Sequence, residues 1–124
     1  MAQQREPKVY DLEERTFVFS RSISDFVKTL PKTASNSVYI PQIIRSSSSI
    51  GANYIEANES LGPKDFLMRA KICRKEAKET IYWLRLLDVE DPERDERRRK
   101  HIDEATQLLK IFGSIVTKAR LKRP

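Results

Sequence analysis

The chain has 124 residues, a formal net charge of +6, 34% charged residues, only three glycines and one cysteine. That length holds one domain with a real core and is short for two. A single cysteine excludes an intramolecular disulfide and any multi-cysteine metal site. The opening "MAQQREPKVYDLEE" lacks the apolar stretch of a secretory signal, and no run approaches the ~20 apolar residues of a membrane span. A cytoplasmic location with no membrane partner is expected.

Four segments carry apolar residues three and four apart, separated by breaks containing proline or glycine, and each predicts a helix. The first opens at Asp11 with Glu14 three residues on, a capping-box-like pair. Its inward stripe is Leu12, Phe19, Ile23, Phe26, Val27 and Leu30, ending at Pro31. The second is predicted from about Val38 to Ser60, with Ile40, Ile43, Ile44, Ser47, Ile50, Gly51, Tyr54 and Ile55 on one side. In that reading Pro41 falls in the first turn, where an amide proton has no helical acceptor to lose.

Within the second helix, "IIRSSSSIGANYIEA" puts Ser47 and Gly51 on the apolar stripe, where small side chains admit a close neighbour. Ser46, Ser49, Asn53 and Glu56 form a separate polar stripe beside it. Two readings stand: tight packing with solvated serines, or a dedicated interface made of those four residues. A phosphate-cradling loop fits poorly, because the stretch has one glycine and no suitably placed lysine.

Gly62 and Pro63 start the third helix, whose stripe is Phe66, Ala70, Cys73, Ala77, Thr80, Ile81, Leu84 and Leu87. Tyr82, Trp83 and Leu86 widen its apolar surface sideways, as a subunit contact or a broad core would. Asp91 and Pro92 begin the fourth, with Ile102, Ala105, Leu108, Leu109, Phe112, Ile115, Val116 and Ala119 inward. Helices of this length joined by short breaks lie antiparallel, so the expected fold is an all-α, up-down-up-down four-helix bundle in a single domain. Residues 1–10 and 121–124 are expected to be flexible ends.

The segments "LEERTFVFSRSISDFVKTLP", "IIRSSSSIGANYIEA" and "PKDFLMRAKICRKEAKETIYWLRLL" resemble the bacterial four-helix-bundle family of the 23S rRNA intervening-sequence protein. Arg45-Ser46, Ser49-Ile50, Asn53, Glu56, Lys64-Asp65-Phe66 and Glu76-Ala77 carry the likeness, which covers about residues 11–90 and reaches the fourth helix by pattern alone. The resemblance implies a small bundle that assembles with itself, usually as a ring-like pentamer, with no established enzymatic activity. The fold is also similar to the accessory variability determinant of diversity-generating retroelements, a basic bundle that binds reverse transcriptase and nucleic acid. That second likeness is one of fold, which does not fix function. Tyr54 departs from the small or aliphatic residue many members carry after the asparagine.

No catalytic constellation is expected. His101, the sole histidine, sits in "ERRRKHID" and reads as a solvated helix residue. Cys73 reads as an inert core thiol. Glu56, Glu76 and Glu79 could converge, but the Glu-x-x-His pairs of di-metal bundles are missing, so neither metal nor cofactor is expected.

The charge is local. From residue 97 onward nine Lys or Arg face two acids, whereas the preceding residues are nearly balanced. Glu93–Arg97, Asp95–Arg99 and Glu96–Lys100 are spaced for helix ion pairs. This leaves Arg94, Arg98, Lys110, Lys118, Arg120, Lys122 and Arg123 as candidate phosphate contacts for RNA or DNA. Cations at a helix C-terminus also suit the dipole with no partner at all. The expectation is therefore a non-enzymatic, self-associating binding or scaffold protein, or alternatively a nucleic-acid-binding accessory factor using the fourth helix and tail.

Overall fold

A computed structural model describes residues 11–122, and the expected flexible segment 1–10, like Arg123 and Pro124, lies outside them. The four helices are α1 (Leu12–Val27), α2 (Ala34–Asn58), α3 (Pro63–Leu86) and α4 (Pro92–Lys122). Leu121 and Lys122, placed in the expected tail, belong to α4. Neighbours along the chain pack together, α2 and α4 each against α3 most extensively, while α1 lies chiefly on α2 and touches α4 least. The result is the up-down-up-down all-α bundle expected from the periodicity.

At α1, Asp11 occupies the N-cap position, but its side chain makes no capping hydrogen bond, so the expected capping box does not form. Glu13 and Glu14 still place negative charge at the positive end of the helix. The structure starts α2 four residues earlier than its apolar pattern, at Ala34. The Thr33 side chain accepts the Asn36 amide proton at 3.1 Å and caps it. Pro41 is consequently interior to α2 rather than in its first turn. It removes one helical hydrogen bond, a cost borne by the packing of the residues on either side. At α3, Pro63 follows the Gly62 N-cap as expected. At α4, Asp91 Oδ1 accepts the Arg94 amide proton at 2.8 Å.

The core is centred on Ile23, Phe26, Ile43, Ile50, Cys73, Ala77, Leu84, Ala105, Leu108 and Phe112, all fully buried. Ile44 and Ile55, expected inward, are exposed. The inward line of α2 runs through Ile43, Ser47, Ile50 and Tyr54, and one residue further along a helix is a turn of about 100°. On α3, Leu67 is buried at the position expected for Phe66, which is half-buried. Both belong to a small satellite cluster with Ala70, Ile115, Val116 and Ala119.

Small residues let α1 and α2 approach closely. A Cβ on Gly51 would lie 2.9 Å from Thr16 Oγ1 and 3.2 Å from Thr16 Cβ. One level away, Ser20 donates to the Ser47 carbonyl at 3.1 Å. The end of the bundle holding the α1–α2 and α3–α4 turns is tied across. Buried Asn36 donates from Nδ2 to the carbonyls of Pro31 and Asp88, each at 2.9 Å, and accepts the Asp88 amide proton at 2.9 Å. Thr33 and Ser35 both donate to the Asp88 carboxylate, which these bonds hold below the usual carboxylate range.

Candidate interaction surfaces

The polar stripe of α2 faces α3 within the same chain. Ser46, named as an interface residue from the sequence, is fully buried and shares a 2.8 Å hydrogen bond with the Thr80 hydroxyl. Its spacing from Ile43 and Ile50 puts it on the flank of the core line that α3 covers, so no second chain can reach it in the folded bundle. Asn53 Oδ1 accepts from Arg69 Nη1 at 3.0 Å, and its amide donates to the Ser49 carbonyl at 2.9 Å. Glu56 is exposed. Arg45 pairs with nearly buried Glu76 at 3.2 Å and also with Glu79, which accepts the Trp83 indole proton at 3.0 Å. Glu76 and Glu79 thus converge on a guanidinium. The residues that carry the family resemblance are, in large part, the rungs between α2 and α3.

Trp83 is half-buried, with its ring 5.9 Å from that of Tyr39, whereas Tyr82 and Leu86 are exposed. Further outward apolar side chains lie where the sequence reading did not place them. Phe17 and Val18 of α1 are 58% and 54% exposed. Phe17 and Ile44 border a shallow groove of about 230 Å³ between α1 and α2, floored by Ser20, Ser47 and Ser48. Phe17 and Val18 fell outside the inward stripe of α1, and that omission was itself the signal that they face outward.

The basic candidates divide by role. Arg94 Nε donates to the Thr29 carbonyl at 2.8 Å and its guanidinium pairs with Asp91. Arg98 Nη1 donates to the Leu87 carbonyl at 3.0 Å and its guanidinium pairs with Asp95. Both were expected to remain free for phosphate; instead each fastens a turn, because a guanidinium at the start of α4 reaches the carbonyls of the turns beside it. Of the three expected ion pairs, Asp95–Arg99 forms at 2.9 Å. Arg97 lies over the Phe26 ring, 5.2 Å from its centroid. Lys110, Lys118, Arg120 and Lys122 are exposed and make no ion pair with another described residue. Arg123 lies outside the described residues.

His101 is packed between α4 and α1 rather than solvated. Its ring stacks on Phe26 with centroids 4.9 Å apart, Nδ1 lies 2.8 Å from the Arg97 carbonyl, and Nε2 lies 2.8 Å from Ser22 Oγ. A carbonyl can only accept, so Nδ1 carries the proton and, in the neutral ring, Ser22 donates to Nε2. The single residue type that sequence reasoning assigned by its charged neighbours is thus fixed by the opposite helix. Burial lowers its pKa, with the Arg97 charge acting the same way and the two hydrogen bonds opposing. Arg15, Lys100 and Glu104 share its surroundings. The folded protein therefore favours neutral imidazole, while the unfolded chain takes up a proton near pH 6.5. The unfolded state binds more protons in that window, so stability should fall as pH drops from about 7 through the lowered folded pKa. In urea titrations across this range, wild type should lose stability relative to His101→Gln as the pH falls. A difference between the two that stays constant would refute the assignment.

Cys73 is fully buried, its Sγ 3.4 Å from the Ile50 carbonyl, and burial pushes the thiol up to about 12. A thiol at that pKa is not a nucleophile near neutral pH. Among the described residues no three His, Cys, Asp or Glu side chains are grouped to hold a metal ion, and no helix is long and apolar enough to cross a membrane.

Fold and surfaces together define a small helical-bundle module whose polar motif residues hold its own helices together and whose apolar and basic features face outward. The chain belongs to the 23S rRNA-intervening sequence protein family, whose model matches residues 8–114. It is similar to the crystal structure of a protein with unknown function from the S23 ribosomal protein family of Bacteroides thetaiotaomicron. The two are 29% identical with a TM-score of 0.71, over 85% of this chain and 97% of that one. No curated protein matches it in sequence.

Proposed function

We propose that the protein is a non-enzymatic scaffold that works by associating with copies of itself. The observation that carries this reading is the pair of large apolar side chains, Phe17 and Ile44, turned outward on either side of the α1–α2 groove. Outward apolar surface of this kind favours burial against a partner. Tyr82 and Leu86 offer a second exposed apolar area on α3, which packs against α2 and α4 and not α1. Two different patches, one shared by α1 and α2 and the other on α3, suit a head-to-tail contact, the kind that closes into a ring. Light scattering at micromolar protein should give the mass of a homo-oligomer, a pentamer by the family resemblance. Phe17→Lys and Ile44→Lys should each shift the mass toward monomer while leaving the helical signal intact. A wild type that is monomeric throughout would end this reading.

A second reading, nucleic-acid binding, is favoured by the exposed cations of α4 that have no ion-pair partner among the described residues: Lys110, Lys118, Arg120 and Lys122. Cations along a helix meet phosphates rather than base edges, so binding would be largely sequence-independent. The logarithm of the affinity should fall with that of salt concentration, with a slope of roughly −0.7 per phosphate on single strands and about −0.9 on duplex. Replacing Lys118, Arg120 and Lys122 by alanine should flatten that slope without altering the melting temperature, and an unchanged slope would remove the helix end from consideration.

A further inference from the structure

The cleft between α1 and α4, about 590 Å³ in volume, is a second place where positive charge collects. Arg15 and Glu104 both line it and neutralise each other in a two-pronged pair, at 2.7 and 2.9 Å. Along α4 from Glu104, Lys100 is exposed and has no ion-pair partner among the described residues, and Arg97 lies over the face of Phe26. His101 of α4 and Ser22 of α1 add two hydrogen-bonding groups, joined to each other across the cleft, and Val18 of α1 adds an exposed apolar one. The volume is that of a small-ligand site.

We infer that this cleft binds the phosphate of a nucleotide, with Lys100 and Arg97 as counter-ions, Ser22 and His101 as hydrogen-bonding partners, and Val18 as an apolar edge for the sugar or base. The inference rests on the nucleic-acid reading above and moves its centre from the end of α4 to the middle of the bundle. A compact anion fits better than an acidic peptide. Residues 97, 100 and 101 lie within about one helical turn, whereas same-side carboxylates on an extended strand stand about 7 Å apart. Charged hydrogen bonds to phosphate oxygens are the strong kind. An anion here also suits a histidine that burial otherwise keeps neutral, since it favours the imidazolium and lets both ring nitrogens donate.

His101 is the only histidine in the sequence, so its ring proton resonances report on this cleft alone. The probes are thymidine monophosphate and an oligothymidylate about ten nucleotides long, within the span of common single-strand sites, both at low salt. Binding should shift the His101 resonance and move its titration to higher pH. Lys100→Glu, at an exposed position, should weaken binding by about tenfold or more with an unchanged melting temperature. Alanine at Lys118, Arg120 and Lys122 should leave the His101 response in place. A response to the monophosphate assigns the site to free nucleotides, and a response to the oligomer alone assigns it to a strand. Oligomer binding that neither moves His101 nor depends on Lys100 overturns the cleft while sparing the nucleic-acid reading. Failure of both probes to bind overturns both, and an equal His101 shift with polyglutamate overturns the choice of phosphate.

Discussion

Replacing Asn36 with alanine should cost the protein about 3 kcal/mol and lower its melting temperature by roughly 10 °C. The side chain is buried and all of its work is cross-linking: two carbonyls, of Pro31 and Asp88, and one amide, of Asp88, rely on it. Each such bond contributes about 1 kcal/mol net, and more where the abandoned partner stays out of water. Alanine satisfies none of the three. Aspartate should be worse, because it keeps the acceptor, deletes both donors and brings a charge into a buried position. Thr33→Ala serves as the reference, losing the cap bond, worth about 1 kcal/mol, and an exposed hydrogen bond to the Asp88 carboxylate. Calorimetry on the three variants decides the matter. An Asn36→Ala protein as stable as Thr33→Ala would mean that water takes over the bonds and that the turns are not joined through this residue.

A bulky residue at position 51 should be the other severe change. Gly51→Ala gains about 1 kcal/mol of helix propensity. Its new Cβ would stand 2.9 Å from a Thr16 oxygen that lies within hydrogen-bonding distance of the carbonyls of Leu12 and Glu13. Thr16 is buried and β-branched, so it has little room to turn. Overpacking of about 1–3 kcal/mol sets against the gain, and a small net loss follows. Gly51→Leu has no such balance. It must push α1 off α2, and since α1 has least purchase on α4, the loss should exceed about 3 kcal/mol and broaden the melt. Thr16→Ala removes the closest atom, so Gly51→Ala should cost less in that background, by about 0.5 kcal/mol or more. Gly51→Leu melting like wild type would show that the two helices do not depend on a bare backbone here.

The bundle was legible because apolar spacing fixes which way a helix faces, and Leu12, Phe19, Ile23, Phe26 and Val27 all lie inward as that spacing requires. What escaped the sequence was decided by side chains reaching between helices. Thr33 caps α2 although no large apolar residue marks the helix's first turn. Ser46 looked like surface because its hydroxyl is polar, yet its partner Thr80 is 34 positions away. Arg94 and Arg98 looked free because only carboxylates four residues away were counted as partners. Backbone carbonyls at Thr29 and Leu87 leave no signature in the order of residues. His101 was misjudged for the same reason, through Ser22 and Phe26 of α1. The outward apolar residues of α1 were readable as the complement of its inward stripe.

The arginine clamps and the Asn36 bonds also set where the chain can change length. Residues 28–33 and 87–91 are held at fixed separations by partners on other elements, so an inserted residue there would pull Thr29, Pro31, Leu87 or Asp88 away from its donor. The α2–α3 turn is bound differently: Ser60 donates to the Ala57 carbonyl and Phe66 to that of Gly62, both contacts local to their own helix ends, and the Leu61 side chain extends wholly into solvent. Extra residues spliced in beside Leu61 would lengthen a loop whose backbone hydrogen bonds stay within the ends of α2 and α3, at an entropic cost growing only with the logarithm of its length. A fluorescent tag or an affinity epitope belongs there, where the bundle can carry it without being asked to refit.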